Sequence, residues 1–135
     1  MALEPPFPSY QIRGIIGPRP HFTLSDHVMS KASTLTQQII SHLSAQGCYA
    51  WRSSTTGIPL SDGSWRSAPK KGVSDVLAIC SPSGRTLAIE VKIGTDKLRP
   101  EQIGFLANIE HVGGLSYVAS DFDEFTIWLS AQKFV

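Results

Sequence analysis

The sequence predicts an α/β domain, a mixed four-stranded sheet with helices on both sides in the order αβββαβα. Two observations point there: apolar residues recur at helical spacing in some stretches and in short β-favouring runs in others, and Gly-, Pro- and Ser-containing breaks separate them. The 135 residues suffice for one core, since a chain of this size buries roughly two-thirds of the surface exposed on unfolding. Two full domains are excluded.

Residues 1–28 contain Pro5, Pro6, Pro8, Pro18 and Pro20 and no periodic pattern. Proline fixes φ and withholds a donor, so this segment reads as an extended arm ahead of a domain at 29–135. From Ser30, Leu35, Ile39, Ile40 and Leu43 recur at helical spacing and Gly47 supplies a stop, which predicts a helix over about 31–46. Cys48–Arg52 reads as a strand. The stretch SSTTGIPLSDGSWRSAPKKG that follows reads as one long loop, and long loops in compact domains tend to be functional.

Val73–Cys80 and Arg85–Ile93 read as two strands of a hairpin turning at Ser81-Pro82-Ser83-Gly84. Pro100 suits the first position of a helix, for which Ile103, Leu106, Ala107 and Ile109 form the expected buried stripe, with a stop before Gly113-Gly114. Leu115–Ala119 is the fourth strand. Ser120 is the expected N-cap of a last helix to about Gln132, with Asp121, Asp123 and Glu124 favourably placed in its first turn.

Composition narrows the function classes. No apolar run approaches the ~20 residues needed to span a bilayer, and the N-terminus lacks the pattern of a signal peptide, so neither a membrane nor a secretory role is expected. Cys48 and Cys80 are too few and too far apart in sequence for a disulfide framework or a zinc knuckle; both read as buried thiols of a reducing, intracellular compartment. His21, His27, His42 and His111 show no metal-ligand spacing, and no G-x-S-x-G turn supports a catalytic serine. The net charge is only +1, but Arg52, Arg66, Lys70, Lys71, Arg85, Lys92, Lys97 and Arg99 crowd the middle third, an asymmetry that favours a polyanion locally.

The chemistry-bearing pattern is Gly72-Val-Ser-Asp75 followed by Ile89-Glu90-Val-Lys92. Strand alternation puts Glu90 and Lys92 on one face, and the hairpin brings Asp75 alongside. Two carboxylates beside a lysine suit a hard, oxygen-ligated cation such as Mg²⁺, with the Val91 carbonyl as a third donor. Such a site answers the needs of phosphodiester hydrolysis, a nucleophilic water and relief of charge building on the phosphate. An ExK triplet alone is equally the pattern of a surface ion pair; Asp75, Gln102 and the element order, taken together, separate the two readings.

The pattern SD75, IE90-V-K92 and LRPEQ102 resembles the PD-(D/E)xK nuclease superfamily, and in particular its VRR-NUC branch, over about residues 31–127. The resemblance implies a restriction-endonuclease-like core in which Asp75 and Glu90 bind a divalent metal, Lys92 is catalytic and Gln102 lies beside the site. Mg²⁺ is the implied cofactor, with Mn²⁺ able to substitute. It also implies cleavage of DNA, Holliday-junction resolution by a homodimer, and an intracellular setting such as a phage-encoded protein in a bacterial host. Ser74 stands where the motif has proline. Many relatives carry a glutamate on the first helix, whereas this chain reads Thr36-Gln37-Gln38, and Gln37 or Gln38 is expected to hold a metal-bound water there.

Arg52, Arg66, Lys70, Lys71, Lys97 and Arg99 are the candidate DNA contacts, and Trp65 either stacks on a base or tucks against the domain. Two rival readings stand beside the resolvase: a non-catalytic DNA-binding module that keeps the fold, and a monomeric flap or nicking nuclease.

Overall fold

The computed structural model describes residues 29–53, 58–66 and 70–132; the arm expected at 1–28 lies outside them. Helix α1 (Lys31–Ala45) starts where the Ser30 hydroxyl accepts a hydrogen bond from the Ser33 N–H at 3.1 Å. Gly47, at φ 86°, turns the chain into strand β1 (Cys48–Arg52). Strands β2 (Ile58–Pro59) and β3 (Trp65–Arg66) form a small antiparallel ribbon, followed by β4 (Val76–Cys80), β5 (Arg85–Val91), helix α2 (Pro100–His111), β6 (Leu115–Ala119) and helix α3 (Phe122–Ser130).

The main sheet has the order β1-β4-β5-β6; β1-β4 and β4-β5 are antiparallel and β5-β6 is parallel. This is the mixed four-stranded sheet expected from the sequence. Its inner face carries Val76, Ala78, Leu87, Ile89 and Ala119, all fully buried with Ile39 and Leu43 of α1 and Phe125 of α3. The outer face carries Ala88 and Glu90 of β5, and α2 lies over this β5-β6 half, tied down by Ser116 donating to Glu110 at 2.6 Å and Gln102 donating to Glu90.

Four expectations are corrected. The long stretch after β1 is not one loop: Asp62-Gly63 closes the β2-β3 ribbon, with Gly63 at φ 84° and the Leu60 N–H donating to the Ser64 carbonyl at 2.8 Å. The N-cap of α3 is Asp121 rather than Ser120, its carboxylate accepting from the Glu124 N–H at 2.9 Å; a negative charge suits the positive end of a helix dipole.

On α2 the buried residues are Gln102 and Leu106, while Ile103 is 53% exposed and Ala107 is also exposed, because the inward position of the first turn is taken by a glutamine bonded to Glu90. Finally, Cys48 and Cys80 are not separate thiols. They are register partners on β1 and β4, with Cα atoms 4.2 Å apart, and form a disulfide. Antiparallel pairing erases their separation along the chain, so they no longer argue for a reducing compartment. Among the described residues no helix is long and apolar enough to cross a membrane.

Candidate active site

The first residues of β4 and the last of β5 meet at one end of the sheet. The β4-β5 register pairs Val76 with Ile89, so Asp75 and Glu90 come next and share the outer face. The Asp75 carboxylate accepts a hydrogen bond from the Val91 N–H at 2.8 Å, which fixes it to the neighbouring strand. Ser74 is fully buried and donates to the Val76 carbonyl at 2.9 Å, so the hydroxyl holds the backbone where the motif has proline.

Glu90 is 3% exposed, with one carboxylate oxygen accepting from the Gln102 side-chain amide at 2.6 Å and standing 3.7 Å from the Lys92 ammonium. Its other oxygen is buried with no hydrogen-bond partner. Burial first, then the negative charge of Asp75, and also a hydrogen bond that the protonated carboxyl makes with Asp75, push the Glu90 carboxyl up from 4.5 to about 7, against the opposing pull of Lys92 and Arg99. Lys92 also pairs with Asp96 at 3.5 Å.

Gln102 makes two contacts at once. Its side-chain oxygen accepts from the Arg99 N–H at 2.9 Å, closing the first turn of α2, while its amide nitrogen holds Glu90. Gly72 brings that turn against the strand. At φ 78° it has a backbone that only glycine adopts easily, and a Cβ there would run into the Glu101 carbonyl. Gly72→Ala is therefore expected to destabilise the protein by about 2 kcal/mol or more, lowering the melting temperature by roughly 8 °C. Thermal unfolding followed by circular dichroism checks this, and an unchanged midpoint would contradict the packing.

A cavity of about 500 Å³ opens over these groups, lined by Asp75, Glu90, Val91, Lys92, Arg99 and Gln102 together with Thr36, Arg52 and Asp96. Of the expected DNA contacts, Arg52 and Arg99 line it; Arg66, Lys70, Lys71 and Lys97 are exposed but lie outside its walls. Gln37 and Gln38 are not brought to the site: both are exposed and line separate pockets near α3. Leu35, Ile39 and Leu43 point inward, and the 3.6-residue period puts Thr36 at the edge of that arc and Gln37 nearly opposite it. From α1, Ala32, Ser33 and Thr36 line the cavity, the Thr36 hydroxyl bonded back to the Ala32 carbonyl at 2.8 Å.

Asp96 and Thr36 were not anticipated. Asp96 had a usable signal, as the acidic residue four positions after Lys92, but it sits in a loop whose path the sequence does not give. Among the described residues, no group of three or more His, Cys, Asp or Glu side chains gathers. The orphaned Glu90 oxygen beside Asp75 nevertheless fits a hard cation that keeps several of its waters, as Mg²⁺ does.

The mixed sheet, with one helix on its outer face, gathers the buried Glu90, the half-buried Asp75 and Lys92 at one end, and the family match places this fold among nuclease-type domains. The model of the VRR-NUC domain matches residues 19–121, and the chain belongs to that family. A solved structure described as a VRR-NUC domain is 21% identical and superposes with a TM-score of 0.58 over 78% of this chain and 100% of that one, sharing the fold. None of the curated proteins matches.

Proposed function

We propose that the chain is a metal-dependent DNA endonuclease that hydrolyses phosphodiester bonds in branched DNA, in particular four-way junctions, and acts as a homodimer. The carrying observation is the buried Glu90 carboxylate across from Asp75, one oxygen of which has no hydrogen-bond partner while the other stands 3.7 Å from the Lys92 ammonium. Asp75, Glu90 and the Val91 carbonyl are the groups that would hold Mg²⁺ or Mn²⁺. When bound, the cation supplies positive charge that favours ionisation of water and offsets charge building on the phosphate. Lys92 places a proton donor and a positive charge at the same spot, Gln102 holds Glu90 in its rotamer, and Arg52 and Arg99 meet the DNA phosphates. Arg66, Lys70, Lys71 and Lys97 extend that phosphate contact beyond the cavity.

Two opposed cuts across a junction call for two sites, and the described residues of one chain form one, so symmetric resolution calls for two copies about a two-fold axis. The test is cleavage of labelled four-way junction, flap, single-stranded and linear duplex DNA in Mg²⁺, Mn²⁺ or EDTA. Paired symmetric cuts confined to the junction, dependent on metal and absent in Glu90→Gln, are expected. Flap cutting by a monomer would replace the resolvase with a nicking or flap nuclease, and junction binding without cleavage in either metal would make the protein a binding module.

A further inference from the structure

The half of the sheet that α2 leaves uncovered is not bland. Residues of β1 alternate faces, so Cys48 and Ala50 turn to the core while Tyr49 and Trp51 turn outward, opposite Ile79 and Leu77 of β4. Tyr49 is 74% exposed and Trp51 37%, and their rings lie 5.4 Å apart. Ile79 is exposed beside them. This is the same face that carries Asp75 and Glu90. Trp51 pairs with Leu77, two residues from Asp75, so Trp51 and Asp75 are diagonal neighbours with Cα atoms roughly 7–8 Å apart.

We propose that this face is a stacking platform: Tyr49 and Trp51 take unpaired bases of the DNA strand whose phosphate lies at the Asp75-Glu90 site. The inference rests on the nuclease reading and narrows its substrate to DNA with unpaired or splayed nucleotides beside the cut. Aromatic faces accept any base and need only a flanking positive groove to track the backbone. Positive charge gathers at the active-site end of the sheet, where β1 ends and β4 begins: Arg52 lines the cavity and reaches the Ser33 carbonyl of α1, and exposed Arg66, Lys70 and Lys71 belong to the segment joining these two strand ends. This basic setting favours a nucleic acid over a second apolar protein surface. A fully paired duplex keeps its bases stacked on each other and offers the platform nothing.

The experiment measures binding of fluorescently labelled DNA to the full-length Glu90→Gln protein at fixed salt, comparing a paired duplex with the same duplex carrying a short single-stranded gap. Replacing Tyr49 and Trp51 together by leucine is expected to weaken binding to the gapped DNA about tenfold or more, with duplex affinity unchanged. Phenylalanine at both positions keeps the aromatic faces and is expected to restore the preference, which a merely structural role would not require. Melting temperatures of both variants establish that each is folded.

Equal loss on both DNAs, no loss on either, or conversion of a dimer to a monomer by the leucine variant in light scattering would overturn the platform. The last result would identify the face as an interface between copies. Cleavage by protein with native Glu90 separates the two readings. Glu90-dependent cutting indifferent to the leucine changes leaves the nuclease standing without the platform, and gap-selective binding with no cutting in either metal leaves the platform without the nuclease.

Discussion

Asp75→Asn, Glu90→Gln and Lys92→Ala are each expected to lower metal-dependent DNA cleavage by roughly a hundred- to a thousandfold or more while leaving junction binding within a few-fold of the parent. Asn at 75 keeps an oxygen for the Val91 N–H, so the strand contact survives and only the charge is lost. Gln at 90 keeps an acceptor for the Gln102 amide and removes the buried negative charge. Lys92 differs from these two, since its ammonium lies beside Glu90 rather than among the oxygen donors. Mn²⁺ binding followed by calorimetry should therefore be weakened by the two carboxylate changes and largely retained in Lys92→Ala. Single-turnover cleavage is the deciding measurement, and full activity in any one variant would remove that residue from the site.

The legible part of this site was the part set by local geometry. Asp75, Glu90 and Lys92 could be brought together from sequence because strand alternation and a short turn leave one register in which apolar Val76, Ile89 and Val91 all face the core. Gln102 is legible only through the resemblance, which sets it beside the site, and the structure adds a second contact: one end of its amide caps α2 and the other holds Glu90. The α2 stripe departs from its expected pattern at the same residue. A rule that sends apolar residues inward gives Ile103 the buried place, whereas the site needs a polar group there and leaves Ile103 outside.

What depends on the assembly of distant segments was not legible. The Cys48-Cys80 pairing follows from β1 lying against β4, and the role of Thr36 rather than Gln37 or Gln38 follows from the rotation of α1 against the sheet. The β2-β3 ribbon had a local signal in Asp62-Gly63, obscured by the polar residues around it.

In the absence of divalent metal, Glu90→Gln is expected to be more stable than the parent at pH 8, by on the order of 3 kcal/mol. The Glu90 carboxyl moves from 4.5 to about 7 on folding, and each pKa unit is worth ~1.4 kcal/mol. The sign is set by proton uptake. Between these two values the folded chain holds a proton that the unfolded chain has released, so stability falls as pH rises from about 4.5 to about 7 and stays low above it.

Gln cannot ionise, so the variant loses this slope, and the difference between the two proteins removes every other titration they share. Denaturant unfolding in EDTA across pH 4 to 8 measures it directly, and parallel curves for the two proteins would show that Glu90 is not held protonated by its surroundings. Adding Mg²⁺ or Mn²⁺ at pH 8 should reverse the order in part, since a cation that binds the folded state alone stabilises it by mass action and finds its charged ligand only in the parent. The same competition between proton and metal makes cation affinity fall as the pH drops through about 7. If Glu90 holds the proposed cation, folding stability and metal occupancy are coupled through it, the one buried carboxylate among the described residues.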